Sequence, residues 1–207
     1  MRPANPSMRS RHGLSGRAAE ALCLALAAVL LAALVVTSAL AQSAPAPAEY
    51  DVKAAYLFNF GKFLRLEGDA TPPRRSTFDI CILGHDPIGH VLDDMAANQS
   101  IDGRAARVVR VGDANLARGC DILFVSPDEG DGIPLDLDAI AKADVLTVSD
   151  APDFLQYGGM IQFVMEDGRV RFAVNLDAVN RTHLVLSSEL LRVASSVTGR
   201  PSPEEQP

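Results

Sequence analysis

Residues 78–97 read FDICILGHDPIGHVLDDMAA, and this stretch decides the fold class. Its first six residues are an almost unbroken apolar run of strand length. Gly84, His85, Asp86 and Pro87 then break the run, and from Ile88 to Ala97 the apolar residues return at helical spacing. A fully apolar strand that turns directly into a helix is the unit of a parallel sheet covered on both faces. The unit recurs downstream. Residues 122–125 (ILFV) and 145–148 (VLTV) are two more apolar strands, with a helical pattern at 135–143 between them. Residues 104–111 add a strand or edge segment, and 115–118 are long enough only for a turn.

Toward the C-terminus the style changes. Residues 160–165 and 170–174 read as strands separated by Glu166-Asp167-Gly168-Arg169, and the Asp-Gly pair favours a tight antiparallel hairpin. Residues 175–197 contain a helical stretch with Leu184, Leu190, Leu191 and Ala194 toward the core. Ser187-Ser188-Glu189 either interrupts it or starts a new helix. Toward the N-terminus, residues 50–66 (YDVKAAYLFNFGKFLRL) form an amphipathic helix with Tyr56, Phe60 and Phe63 on its apolar face, ended by Gly68 and Thr71-Pro72-Pro73. That face suits either the core or a dimer or partner interface. The expected fold is an α/β three-layer sandwich of five or six strands, its sheet mostly parallel with a C-terminal antiparallel hairpin.

The segment before this domain reads as an address. An arginine-bearing stretch precedes a long apolar run from Ala21 to Leu40, and Ala39-Leu40-Ala41 is a small-x-small cleavage pattern. Residues 1–41 are therefore expected to be a secretory signal peptide, 42–49 (QSAPAPAE) a flexible leader, 50–200 the folded domain and 201–207 a disordered tail. The run is also long enough to span a bilayer, so an uncleaved anchor is the alternative. Both readings put the domain outside the cytoplasm.

Over the whole chain Lys plus Arg total 19 against 26 for Asp plus Glu. The first 41 residues hold Arg2, Arg9, Arg11 and Arg17 and one acid, Glu20, so the remaining 166 carry 15 bases and 25 acids. Nucleic-acid binding needs clustered positive charge and does not fit that balance. Cys23 leaves with the apolar run, and Cys81 and Cys120 remain. An even pair in an exported chain suggests one disulfide; two buried free thiols are the alternative.

No catalytic set is visible. Residues 84–89 (GHDPIG) lack both the dinucleotide and the Gly-Lys-Ser/Thr phosphate patterns. His85, His90 and His183 form no zinc pattern, and Asp128, Glu129 and Asp131 do not make a calcium loop, so neither a metal nor a cofactor is expected. No serine occupies a nucleophile elbow. More informative are Gly158-Gly159 before the hairpin, Asp150 after VLTVS, and Arg171 and Asn175 on the outgoing strand. Together they are candidates for a partner- or ligand-binding rim of the sheet. Taken singly, Asp150 and Asn175 also suit helix caps, and Arg171 a surface partner.

In order and spacing, several pieces resemble the YfiR family of exported periplasmic proteins: residues 52–60 (VKAAYLFNF) with Lys62-Phe63; Cys81-Ile82-Leu83-Gly84 with Asp86-Pro87; Gly103-Arg104; residues 120–126 (CDILFVS); residues 146–150 (LTVSD); Gly158-Gly159-Met160-Ile161; and residues 171–176 (RFAVNL). The resemblance spans roughly residues 50–194. It implies an α/β sandwich, a dimer and regulation without catalysis. The best-known member represses an inner-membrane diguanylate cyclase by binding its periplasmic sensor region, which lowers cyclic di-GMP and restrains biofilm. Cys81 and Cys120 match one family disulfide; a second bridge found in some members has no cysteines here. The function expected from sequence is thus a periplasmic regulator of an inner-membrane sensor protein, with a periplasmic small-molecule sensor as the alternative.

Overall fold

The computed structural model describes residues 47–67 and 75–199. The expected signal peptide, most of the leader, the Thr71-Pro72-Pro73 loop and the tail lie outside these residues. The first helix, α1 (Pro47–Phe60), begins inside the stretch read as leader. A 3-10 turn (Gly61–Phe63) follows, then strand β1 (Leu64–Leu66), so the helix expected to reach residue 66 stops at Phe60. The cause is packing. A Cβ on Gly61 would lie 2.7 Å from the Phe78 ring, so the chain closes onto the sheet there. Leu64, Arg65 and Leu66 instead pair antiparallel with β9 (Leu184–Leu186).

The remaining elements are β2 (Thr77–Leu83), α2 (His90–Asn98), β3 (Ser100–Ile101), β4 (Arg104–Val111), a second 3-10 turn (Ala114–Gly119), β5 (Ile122–Val125), a third 3-10 stretch (Pro127–Gly132), α3 (Ile133–Ile140), β6 (Leu146–Ser149), β7 (Ile161–Glu166), β8 (Arg169–Asn175), α4 (Leu176–Val179), α5 (Ser188–Val193) and β10 (Ser196–Thr198). The main sheet has eight strands in the order β10-β8-β7-β6-β5-β2-β4-β3. The run from β4 through β2, β5 and β6 to β7 is parallel. The β7–β8 hairpin is antiparallel, as its sequence predicts, and Asp167 (φ 49°) and Gly168 (φ 70°) hold its turn. The expected five or six strands become eight because β3 and β10 are two or three residues long and show no period. The helical stretch expected within 175–197 is two short helices around β9, and Ser187 starts the second by accepting from the Leu190 N–H at 3.4 Å.

Alternation along β2 builds two cores. Phe78, Ile80 and Ile82 face α1, α2 and α5, whereas Cys81 and Leu83 face the Ala114–Gly119 turn and α3. On the first side the aromatic face of α1 meets the hairpin: Phe60 lies 5.0 Å from Phe172 and 5.8 Å from Phe163 between ring centroids, and Tyr56 lies 5.6 Å from Phe172. Phe60 is only 1% exposed and therefore belongs to the core; Tyr56 and Phe63 are half-buried against it. Among the described residues no helix is long and apolar enough to cross a membrane.

Cys81 and Cys120 form a disulfide with a Cα–Cα distance of 6.0 Å, tying the middle of β2 to the entry of β5 inside the second core. Its 39-residue separation implies about 4 kcal/mol from restriction of the unfolded chain. Cys81→Ser/Cys120→Ser should therefore remain folded at low temperature and lose about 4 kcal/mol in urea unfolding, and the wild type in reductant should follow the same curve. An unchanged midpoint would show that β2 and β5 are held without the bridge.

Candidate functional site

The chain passes from β2 to β4 on one side and then returns to β5 on the other. This reversal leaves a crevice beyond the carboxyl ends of β2 and β5, where open α/β sheets place ligands. Residues 84–89 and 126–132 form its walls. Asp86 organises the first wall. Its Oδ1 accepts from the N–H groups of Ile88 (3.0 Å) and Gly89 (2.8 Å), and its Oδ2 accepts from Arg110 at 2.6 Å. Arg110 also donates to Asp93 at 2.7 Å, and this contact holds the Asp93 carboxyl below its ordinary range. Ser126 is fully buried and accepts from the Asp128 N–H at 3.3 Å, starting the second wall.

The crevice is acidic. The Glu129 carboxylate sits over Gly84, whose φ of +82° and missing side chain give it room. His85 Nδ1 lies 3.5 Å from Asp128 Oδ2 at the exposed rim. Asp136 behind them is pushed up from the ordinary carboxylate range, first by burial and then by the charges of Glu129 and Asp113. A phosphate-bearing ligand would meet repulsion here. Among the described residues no group of three or more His, Cys, Asp or Glu is arranged to hold a metal ion.

Beside the crevice, the first turns of α1 cross the carboxyl end of β6. Lys53 is 4% exposed; its Nζ lies 2.5 Å from Asp150 Oδ2 and 2.6 Å from Glu49 Oε1. It also sits 4.4 Å from the Tyr50 ring centroid. The Tyr50 hydroxyl is pushed well above its ordinary range by burial and by the charge of, and hydrogen bond to, Asp150. The second carboxylate oxygen, Asp150 Oδ1, is buried without a hydrogen-bond partner among the described residues. The cluster pins α1 to the sheet. Sequence reading missed Lys53 as the partner of Asp150; its signal was a lysine directly before the buried face formed by Ala54, Leu57 and Phe58.

The structure does not gather the remaining predicted rim residues around Asp150. Along β8, Phe172 and Val174 face the α1 side, so Arg171, Ala173 and Asn175 point to the other. Arg171 is exposed. Asn175 caps α4 by accepting from the Ala178 N–H (3.1 Å) and donates to the Leu155 carbonyl (3.1 Å). Gly159 lies against the fully buried Phe154 ring and leaves no room for a Cβ. Gly158 (φ +95°) opens instead onto a small cleft between α3, the loop before β7 and the turn after α4. Leu137, Thr147, Met160, Tyr157 and Arg181 line it as well, and neither Asp150, Arg171 nor Asn175 does.

Two outcomes follow from these charges. Removing one member of the Lys53–Asp150 pair strands the other in a buried place. Lys53→Met or Asp150→Asn should each cost about 3–5 kcal/mol in urea unfolding, and the double variant less than their sum. Additive losses would show that the two groups act independently. Asp136 works in the opposite sense. Its folded-state pKa is raised, so the stability linked to it is present below the unfolded pKa and lost as pH rises through the folded one. Asp136→Asn should raise the urea midpoint at pH 7, with the gain vanishing below about pH 4, where wild-type Asp136 is itself neutral. A gain that is the same at both pH values would contradict the assignment.

The crystal structure of a conserved domain protein from Vibrio cholerae O1 biovar eltor superposes with a TM-score of 0.49 at 9% identity, over 72% of this chain and 60% of that one. The aligned part is thus less than two thirds of that protein. No curated protein matches the sequence. The YfiR/HmsC-like family, in contrast, matches residues 50–195, from the second turn of α1 to the residue before β10. On that match the chain belongs to the YfiR/HmsC-like family, whose role is periplasmic regulation.

Proposed function

We propose that this chain is a non-enzymatic periplasmic regulator that binds the periplasmic sensor region of an inner-membrane signalling protein. In this reading the target is a diguanylate cyclase, the bound form holds it inactive, and cyclic di-GMP falls. The regulator acts as a homodimer delivered by a cleaved signal peptide. The observation that carries the reading is the family match over residues 50–195, which takes in nearly all of the folded domain. The state of the polar groups supports it: at the carboxyl end of the sheet, Asp86, Lys53 and Asp150 are committed to capping and ion pairs that shape the domain.

The mechanism needs no chemistry. A folded surface that prefers the inactive form of a receptor shifts the receptor toward it, by at most the difference in its affinity for the two forms. A tenfold preference corresponds to about 1.4 kcal/mol, so a 99:1 reversal needs a preference of about 10⁴.

The test is affinity capture from inner-membrane extract with the exported, oxidised chain as bait and mass spectrometry as readout. Recovery of a membrane sensor carrying a cytoplasmic cyclase domain is the expected result. If crosslinked, demonstrably folded bait recovers no specific membrane protein, direct repression is wrong and the small-molecule sensor takes its place.

A further inference from the structure

We propose that the cleft beside Gly158 is a binding site for a small monocarboxylate with a compact apolar body. This goes beyond the regulatory reading and does not depend on it. The cleft lies on the face of the sheet opposite α1. Its floor is apolar and closed: Ile140, Val145, Met160 and Ala178 are each no more than 6% exposed. Thr147 completes the floor; its hydroxyl oxygen accepts from the Met160 N–H at 3.0 Å, and its O–H has no acceptor among the described residues. The floor therefore offers apolar contact and that single hydroxyl donor.

The mouth carries the recognition chemistry. Tyr157 stands 49% exposed at the rim, a large aromatic left in water. Arg181 reaches across Gly158: its Nη2 lies 3.4 Å from the place a Cβ on Gly158 would occupy. The positive φ of Gly158 and its missing side chain keep that approach open. Arg104, Arg107 and Arg110 all meet carboxylates, but among the described residues the Arg181 guanidinium has no hydrogen bond or ion pair. A planar donor fork beside an aromatic ring, over an apolar floor, suits a carboxylate joined to a short apolar group. Asp138 is also in the lining and forms no ion pair with Arg181. Its charge opposes any negative group away from Arg181, so a ligand anion has one favourable place, at the guanidinium. The enclosed space is small, with room for a few carbon atoms, and anything larger stays partly in solvent against Tyr157.

The test is a titration of the exported, oxidised chain with butyrate and with benzoate, followed by amide NMR, with butyramide and benzamide as neutral counterparts. One charge-assisted contact and a small apolar surface predict a Kd of about 1 mM. Shifts should centre on Tyr157, Gly158, Met160 and Ala178. The amides should bind at least about tenfold more weakly, and Arg181→Gln should weaken both acids by a similar factor. Shifts scattered over the surface, amides that bind as well as the acids, or an Arg181→Gln chain that binds unchanged would each overturn the proposal. Arg181 is exposed, so the variant should keep the wild-type spectrum away from the cleft. If that spectrum is lost, Tyr157→Ala decides instead: a severalfold loss of benzoate affinity supports the site, and an unchanged affinity removes it.

Discussion

β2 has neither a free face nor a free edge. Its neighbours are β4 and β5, and six of its seven residues are buried. Every other element is placed by what this strand requires. Its two faces need separate apolar covers, which is why α1, α2 and α5 gather on one side and α3 with the Ala114–Gly119 turn on the other. Its single acidic residue, Asp79, is 2% exposed and cannot stand alone. Burial pushes that carboxyl upward, but two hydrogen bonds from Arg107 on β4, helped by Thr77, outweigh burial and leave it below the ordinary range. Next to it, Asp121 accepts from the Asp79 N–H at 2.9 Å and from Arg104 at 2.6 Å. The amino ends of β2, β4 and β5 are thereby locked in register by charge, and the disulfide at Cys81 locks the middle.

The Lys53–Asp150 pair does a different job. A buried ion pair gives little net stability, because desolvation cancels most of the attraction. The hold of α1 on the sheet comes from its apolar face, where Leu57, Phe58 and Phe60 are almost fully buried. The ion pair selects which way that face lands. A helix rotated or shifted by one turn would still bury aromatic surface, yet it would leave Asp150 without Lys53, and Lys53 with Glu49 alone. An unpaired buried charge is costly enough to exclude such a docking. Asp150 Oδ1, left without a hydrogen bond, shows that the cluster is specified by position more than by complete satisfaction.

Much of this was legible because the core strands are apolar on both faces. FDICIL and ILFV could be placed in a parallel sheet from composition alone, and Asp167-Gly168 marked its hairpin. The disulfide followed from having two cysteines left in a chain read as exported. What stayed illegible depended on facts that a linear pattern does not carry. β1 and β9 are three residues each and exist only through their mutual pairing, about 120 residues apart in sequence. Grouping Asp150 with Arg171 and Asn175 required the sheet face of each. Their side chains point to opposite faces, and only the β7–β8 register reveals it. Arg181 drew no notice because its meaning lies in Gly158, whose open conformation lets a guanidinium pass across the backbone.

β6 joins the two regions that remain chemically expressive. It supplies Thr147 to the floor of the cleft, and the residue just after the strand, Asp150, joins the Lys53 cluster on the other face. Its Ser149 hydroxyl donates to the Val125 carbonyl at 2.7 Å and accepts from the Ala151 N–H at 3.0 Å, so the strand end is fixed from within. A strand held this way behaves as a rigid strut, and packed interiors transmit strain in preference to absorbing it. Occupancy of the cleft can influence α1 only if it prefers one position of β6 over another, and only to the extent of that preference. Thr147 on this strand and Asp150 just beyond its end, three residues apart, thus serve opposite faces of the same sheet.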